Sequence, residues 1–323
     1  MTLPDEITVH NRRRGRLCAA AALFTLAHCA GAGSSDRSAD SSLPLPAQRP
    51  TSTLLYVTDR ALQAVVAFDT SGRKVAEYNF NDVVFDVVTD SHGNVYVMYA
   101  AHGTDKVKEL SHDLSTVIAT YSTGALGFNL AIDVDDNLYV EHLADAGEDI
   151  YEYRYGSTTP RKVYAVADAG LGMTGISVRD GFIYTPVKVY QVEHEFFSCQ
   201  VNAPTSCVFE YVVTAADCGF TTTVHNGAFV WYGSPYFIQK IALSEYRKRG
   251  RVELPSGFQP GWAGFCSLHN YGHFAWLPIT PSSGTGSARV IELDLHRGDI
   301  VANVGAGVLS EPVAAFYGNG FTP

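Results

Sequence analysis

One stretch constrains what this chain can fold into more than any other. Phe85 to Tyr99 holds two short apolar runs, Phe85 to Val88 and Val95 to Tyr99, joined by the polar turn Thr89-Asp90-Ser91-His92-Gly93-Asn94. These are the turn residues of a tight hairpin. The hairpin then returns: NLAIDVDDNLYV ends at Val140, TGISVRDGFIYT at Thr185, FTTTVHNGAFVW at Trp231 and FCSLHNYGHFAW at Trp276. Measured on the aromatic near the start of each second strand, Tyr96, Tyr139, Tyr184, Phe229 and Phe274 are 43, 45, 45 and 45 residues apart. A period in this range, filled by four short strands, is the sequence mark of a β-propeller.

Reading outward from each hairpin gives four strands per repeat. The second repeat takes Phe85 to Val88, Val95 to Tyr99, Lys106 to Leu110 and Val117 to Tyr121, and the later repeats follow the same order up to Asp299 to Val304. The ends of the chain complement each other. The first repeat begins at Leu54 with a second-type strand and lacks its innermost one, whereas Glu311 to Phe316 is an innermost strand with nothing after it. Pairing the two covers an otherwise open edge. The expectation is an all-β fold, a six-bladed β-propeller of four-stranded blades over residues 53–323, with the ring closed by the C-terminal strand.

The repeat, with its strand, D-x-x-G-N/D turn and L/V-Y-V strand, resembles the NHL-repeat and SMP-30/gluconolactonase-like propellers. That resemblance implies a ligand site at one mouth of the central channel, formed by the loops that lead into the innermost strands. The group it names includes lactone hydrolases, lyases, sugar or peptide binders and protein-interaction scaffolds, so it bears on fold more than on activity. The SMP-30-like hydrolases hold a divalent ion on an oxygen-rich set. Asp82, Asn129 and Glu311, in the loops that lead into the innermost strands, would together offer oxygen ligands of that kind to calcium. Asp, Asn and Glu just before a strand are equally ordinary turn residues.

The N-terminus sets the cellular context. Arg12-Arg13-Arg14-Gly15-Arg16 precedes an apolar core from Leu17 to Ala27 and then small residues, the pattern of an export signal too short to span a bilayer. Leu26-Ala27-His28-Cys29 resembles the lipobox of bacterial lipoproteins, with His28 where a small residue is usual, and implies lipidation of Cys29. Cleavage after Ala32 is the alternative. Residues 1–32 are thus a leader, residues 33–52, rich in Ser, Asp and Pro, a flexible tether, and the product is a lipid-anchored, periplasmic or secreted monomer. Removing the leader leaves 19 basic and 31 acidic residues, a surface that excludes nonspecific nucleic-acid binding.

Four cysteines remain after the leader. Cys199 and Cys207 flank a hairpin tip and form the expected short disulfide, which leaves Cys218 and Cys266 as a second, cross-repeat pair. No spacing matches a CxxC zinc or redox site, and the chain has no G-x-S-x-G elbow, HExxH pair or phosphate-binding glycine loop. His92, His225 and His269 all fall in the first turn of a repeat and read as turn residues. His142 and His194, each beside glutamates, are the candidates for proton transfer. Aromatics offer the better binding lead: Phe128, Phe258 and Trp262 in loops, and Trp231 and Trp276 on second strands. These would line a mouth for a small molecule, glycan or protein partner, although Trp231 and Trp276 also suit a core between repeats.

Overall fold

The computed structural model describes residues 54–318 apart from 102–103, 124–126, 145–146, 168–174, 191–192, 204–206, 215–217, 225–226, 234–236, 243–246, 262–268, 272–273, 284–285 and 295–296. Every described element is a strand. Sheet I contains β1 (Leu54–Asp59), β2 (Ala64–Phe68) and β3 (Lys74–Asn79). Sheet II contains β4 (Val84–Thr89), β5 (Val95–Ala101), β6 (Thr104–Leu110) and β7 (Val117–Ser122). Sheet III contains β8 (Leu130–Ile132), β9 (Leu138–Ala144), β10 (Gly147–Tyr153) and β11 (Pro160–Ala167). Sheet IV follows with β12 (Ser177–Arg179), β13 (Phe182–Tyr190), β14 (Glu193–Gln200) and β15 (Val208–Thr214), and sheet V with β16 (Cys218–Val224), β17 (Gly227–Gly233), β18 (Phe237–Ala242) and β19 (Arg247–Glu253). Sheet VI contains β20 (Phe258–Pro260), β21 (His269–Tyr271), β22 (Phe274–Pro281), β23 (Arg289–Asp294) and β24 (Asp299–Val304). The last strand, β25 (Pro312–Gly318), pairs with β1 and completes sheet I.

This arrangement corrects the expected six-bladed ring of alike four-stranded blades. The four-stranded sheets number five, and sheet VI has five strands, because β20 and β21 both pair with β22. The β20 ladder to β22 runs to Pro260-Gly261, where the Gly261 amide donates to the Pro278 carbonyl at 2.8 Å. Proline supplies no ladder donor, and a Cβ on Gly261 would sit 2.4 Å from the Pro312 carbonyl oxygen of β25. Only glycine lets the backbone come this close to sheet I. The innermost strand expected at Phe265 to Leu268 lies outside the described residues. The basic run Arg247 to Arg251 forms the first part of the edge strand β19.

Apolar alternation puts the core between neighbouring sheets. Five clusters are described: Val84, Val97 and Leu110 against Val65 of sheet I; Phe85, Met98 and Val107 against Val140 and Tyr153 of sheet III; and Tyr139, Ile150 and Val166 against Ile183 and Cys199 of sheet IV. Ile238 and Val252 of sheet V meet Ala275 and Leu293 of sheet VI, and Trp276 and Val290 meet Leu55 and Ala315 of sheet I. The fully buried tyrosines Tyr56, Tyr96 and Tyr139 each contribute about 2–3 kcal/mol of burial.

The turns repeat a polar device at the same period. Asp90 Oδ1 accepts from the His92 and Asn94 amides, and its Oδ2 accepts from Asn94 Nδ2 and Tyr96 Oη. Asp133 does the same for Asp135, Asn137 and Tyr139, 43 residues on. Deeper in the sheets Tyr121 donates to Glu109 and Tyr164 to Glu152. Sheets II and III therefore each carry an Asp-Tyr and a Glu-Tyr pair that satisfy their own buried polar atoms. The upper face of the ring, where these Asp turns lie, is also stitched between repeats: the Ser91 amide donates to Asp136 Oδ1 at 2.7 Å, and the exposed His92 ring stacks on Tyr155.

Closure of the ring is equally specific. β25 runs antiparallel to β1, Leu55 opposite Tyr317 and Thr58 opposite Ala314. The buried Asp59 carboxylate accepts from the Ser310, Glu311 and Leu62 amides. Buried Thr58 accepts from the Ala314 amide and donates to the Phe85 carbonyl, joining sheet I to sheet II.

Candidate functional site

The innermost strands β4, β8, β21 and β25 bring their side chains to the ring axis, and one polar pair sits there. Strand β4 is apolar except for Asp86 and its last residue, Thr89, and Asp86 lies where the pairing with β5 is irregular between Val84 and Val87. The irregularity turns the carboxyl group inward. Asp86 Oδ1 accepts from the Val87 amide at 2.8 Å, Oδ2 accepts from the Leu130 amide of sheet III at 2.7 Å, and His269 Nε2 of sheet VI lies 2.7 Å from Oδ1. Both side chains are buried, at 1% and 7% exposure. One carboxyl group thus joins three sheets, across 183 residues of sequence in the case of His269.

Aromatic rings surround the pair. Phe316 of β25 meets the His269 imidazole edge-on at 5.1 Å, and Phe85 meets Phe128 edge-on at 5.0 Å. Phe128 and Phe316 are half-buried. Beside them the fully buried Glu141 accepts from the Phe128 amide and from Asn129 Nδ2, at 2.8 and 2.7 Å. Gly127 is required at this point, because a Cβ there would lie 2.2 Å from the Glu141 carbonyl oxygen. Antiparallel alternation places the described segments that lead into innermost strands, 80–83, 127–129 and 309–311, on one face, the lower one, opposite the Asp turns.

The metal candidates have separate partners. Asn129 bonds Glu141, Glu311 pairs with Arg60 at 3.3 Å, and Asp82 lies near Tyr99, whose hydroxyl pKa is raised first by burial and then by that carboxylate. Among the described residues no group of three His, Cys, Asp or Glu side chains is arranged to hold a metal. Of the aromatic candidates, Phe128 is at the axis. Phe258, half-buried on β20, packs under the Arg289 guanidinium at 4.4 Å. Trp276 is buried between sheets VI and I, 4.5 Å from Tyr317. Trp231 is on β17, with its side chain outside the described residues, as is Trp262 altogether. The Cys199–Cys207 disulfide is formed at the β14–β15 hairpin. Cys218 begins β16, while Cys266 and Cys29 lie outside the described residues.

His269 corrects the reading of three equivalent turn histidines. His92 is an exposed turn residue, His225 lies outside the described residues, and His269 is a buried strand residue facing Asp86. The one signal in the sequence was Asp86 itself, a lone acid in an apolar strand. His142 of β9 is opposite Asp149 of β10 and stacks on Tyr151 at 4.1 Å. Burial lowers the His142 pKa and raises that of Asp149, so the environment favours the neutral form of each. The side chain of His194, on β14, is outside the described residues.

No protein-family model matches this chain, and neither does any curated protein sequence. Among solved structures, a chain of a nidogen/laminin complex aligns over 83% of this chain and 98% of its own length, with a TM-score of 0.60 and 11% identity. A protein of unknown function from Desulfotomaculum acetoxidans DSM 771 aligns over 81% of this chain and 83% of its own, with a TM-score of 0.51 and 13% identity. At such identities the likeness is one of fold, and that fold is the β-propeller.

Proposed function

We propose that this chain is an exported, non-catalytic β-propeller that binds a small molecule, glycan or protein partner at the lower mouth of its channel. The observation that carries this reading is the axial group itself. Half-buried Phe316 packs on His269 and half-buried Phe128 packs on Phe85, next to Asp86, where four sheets meet, and aromatic faces beside a few fixed polar groups suit a ring-shaped or peptide ligand. The Asp86 carboxyl group is engaged by two backbone amides and an imidazole, which is the geometry of a strut. The alternative, a calcium-dependent lactonase, draws no support from the separate partners of Asp82, Asn129 and Glu311. Export through the N-terminal leader, with Cys29 lipidated or cleavage after Ala32, and a monomeric state belong to the same proposal.

Thermal unfolding of the purified mature protein across a panel of saccharides, small aromatics and short peptides tests the reading. A true ligand at 100 times its Kd raises stability by about 2.7 kcal/mol, and Phe128→Ala abolishes the gain while still folding. Lactone hydrolysis that a chelator removes would decide for the alternative.

A further inference from the structure

A second site lies away from the axis, in the seam between sheets I and II. Tyr78, at the end of β3, Phe80, just beyond it, and Tyr99 of β5 pack against one another. Tyr78 and Phe80 are 5.0 Å apart with planes at 70°, and Phe80 and Tyr99 are 4.9 Å apart at 47°. The ammonium group of Lys108, on β6, sits 5.0, 5.0 and 4.9 Å from the centroids of Tyr78, Phe80 and Tyr99. Three rings therefore surround one cation. Phe80 and Tyr99 are 7% exposed, while Tyr78 and Lys108 are half-buried and form the open side.

The occupant fits the seat poorly. A primary ammonium is compact, strongly hydrated and has three N–H donors to satisfy. Lys108 donates one hydrogen bond, to Tyr78 Oη at 3.2 Å, and makes no ion pair among the described residues, in a chain of net charge −10. A fully alkylated ammonium loses less hydration, has no N–H to leave unpaired, and gains the same attraction from the ring faces. Asp82, close enough to Tyr99 to raise its pKa, adds negative potential beside the rings.

We infer that the Tyr78–Phe80–Tyr99 cage is a binding site for quaternary or highly methylated ammonium groups, and that Lys108 is its resting occupant, displaced when ligand enters. The site is independent of the axial group and of the reading given to it.

Tetramethylammonium, titrated against the folded protein at constant ionic strength with sodium as control, tests this through tyrosine ring NMR shifts. The wild type is expected to bind at millimolar Kd, and Lys108→Ala about tenfold more tightly, an amount in line with one cation–π competitor removed. Tyr78→Ala, placed in the Lys108→Ala background, abolishes binding. Lys108→Gln serves if the alanine variant does not fold, and near-UV circular dichroism reports folding for each. The inference is overturned by absence of binding to both wild type and the Lys108 variants. It is equally overturned by binding that ignores Tyr78, or by binding seen only without Lys108, which would make the lysine a permanent plug.

Discussion

Asp105 shows how a single residue couples this fold to pH. It is 1% exposed, its Oδ2 accepts from the Gly127 amide at 2.7 Å, and its Oδ1 has no hydrogen-bond partner among the described residues. Burial pushes its pKa up from 3.8 to about 6, against the smaller opposing effect of the Gly127 amide. A raised carboxyl pKa means that the folded state holds the proton more tightly than the unfolded chain. Its contribution to stability is therefore complete below about pH 3.8 and is lost as pH rises through about 6. Asp105→Asn removes this dependence: relative to wild type, the variant should gain about 1–3 kcal/mol between pH 4 and pH 8. Unfolding midpoints measured across that range check it, and a flat difference would refute it. Such a residue was not legible in the sequence, where Asp105 is one more polar residue near a turn. Asp90 and Asp133 were legible, because their partners Asn94, Tyr96, Asn137 and Tyr139 lie within six residues of them.

Among the elements, β25 matters most to the ring. Without it and the Glu311 that leads into it, β1 has an unpaired edge, and buried Thr58 and Asp59 lose the amides of Ala314 and Glu311. Each buried group left unsatisfied costs about 1–3 kcal/mol, on top of the apolar surface exposed at Val57 and Leu55. Deleting residues 311–323 should therefore abolish cooperative unfolding, and adding the missing segment as a synthetic peptide should restore it in proportion to peptide concentration. Circular dichroism melts follow both effects; an undiminished transition in the truncated chain contradicts the closure role. This element was readable from sequence because an innermost strand was missing at one end and in surplus at the other. The doubling of β20 and β21 on β22 was not readable, since neither extra pairing follows from the repeat period.

At the level of the whole molecule, Asp86 and His269 tie sheets II, III and VI together at the axis. Asp86→Ala strands the Val87 and Leu130 amides and the imidazole at once, so it should cost about 3–5 kcal/mol, the range for breaking a buried pair from one side. Arg73→Ala, which removes an exposed contact to Asp69, should cost under about 1 kcal/mol. Denaturant unfolding of the two variants compares these directly, and equal losses would remove the axial pair from its place in the architecture.

The sequence by itself determined the class of fold, the order of strands, the Asp turns, the short disulfide and the pairing of the two chain ends. All of these follow from local periodicity or from residues a few positions apart. Tertiary structure decided the rest. Asp86 meets His269, and Lys108 enters the cage of Tyr78, Phe80 and Tyr99, only because neighbouring sheets are packed face to face around a closed ring. Period and turn chemistry specify which residues form each sheet. Which side chains meet between sheets depends on the twist, the register and the close backbone approaches at Gly127 and Gly261.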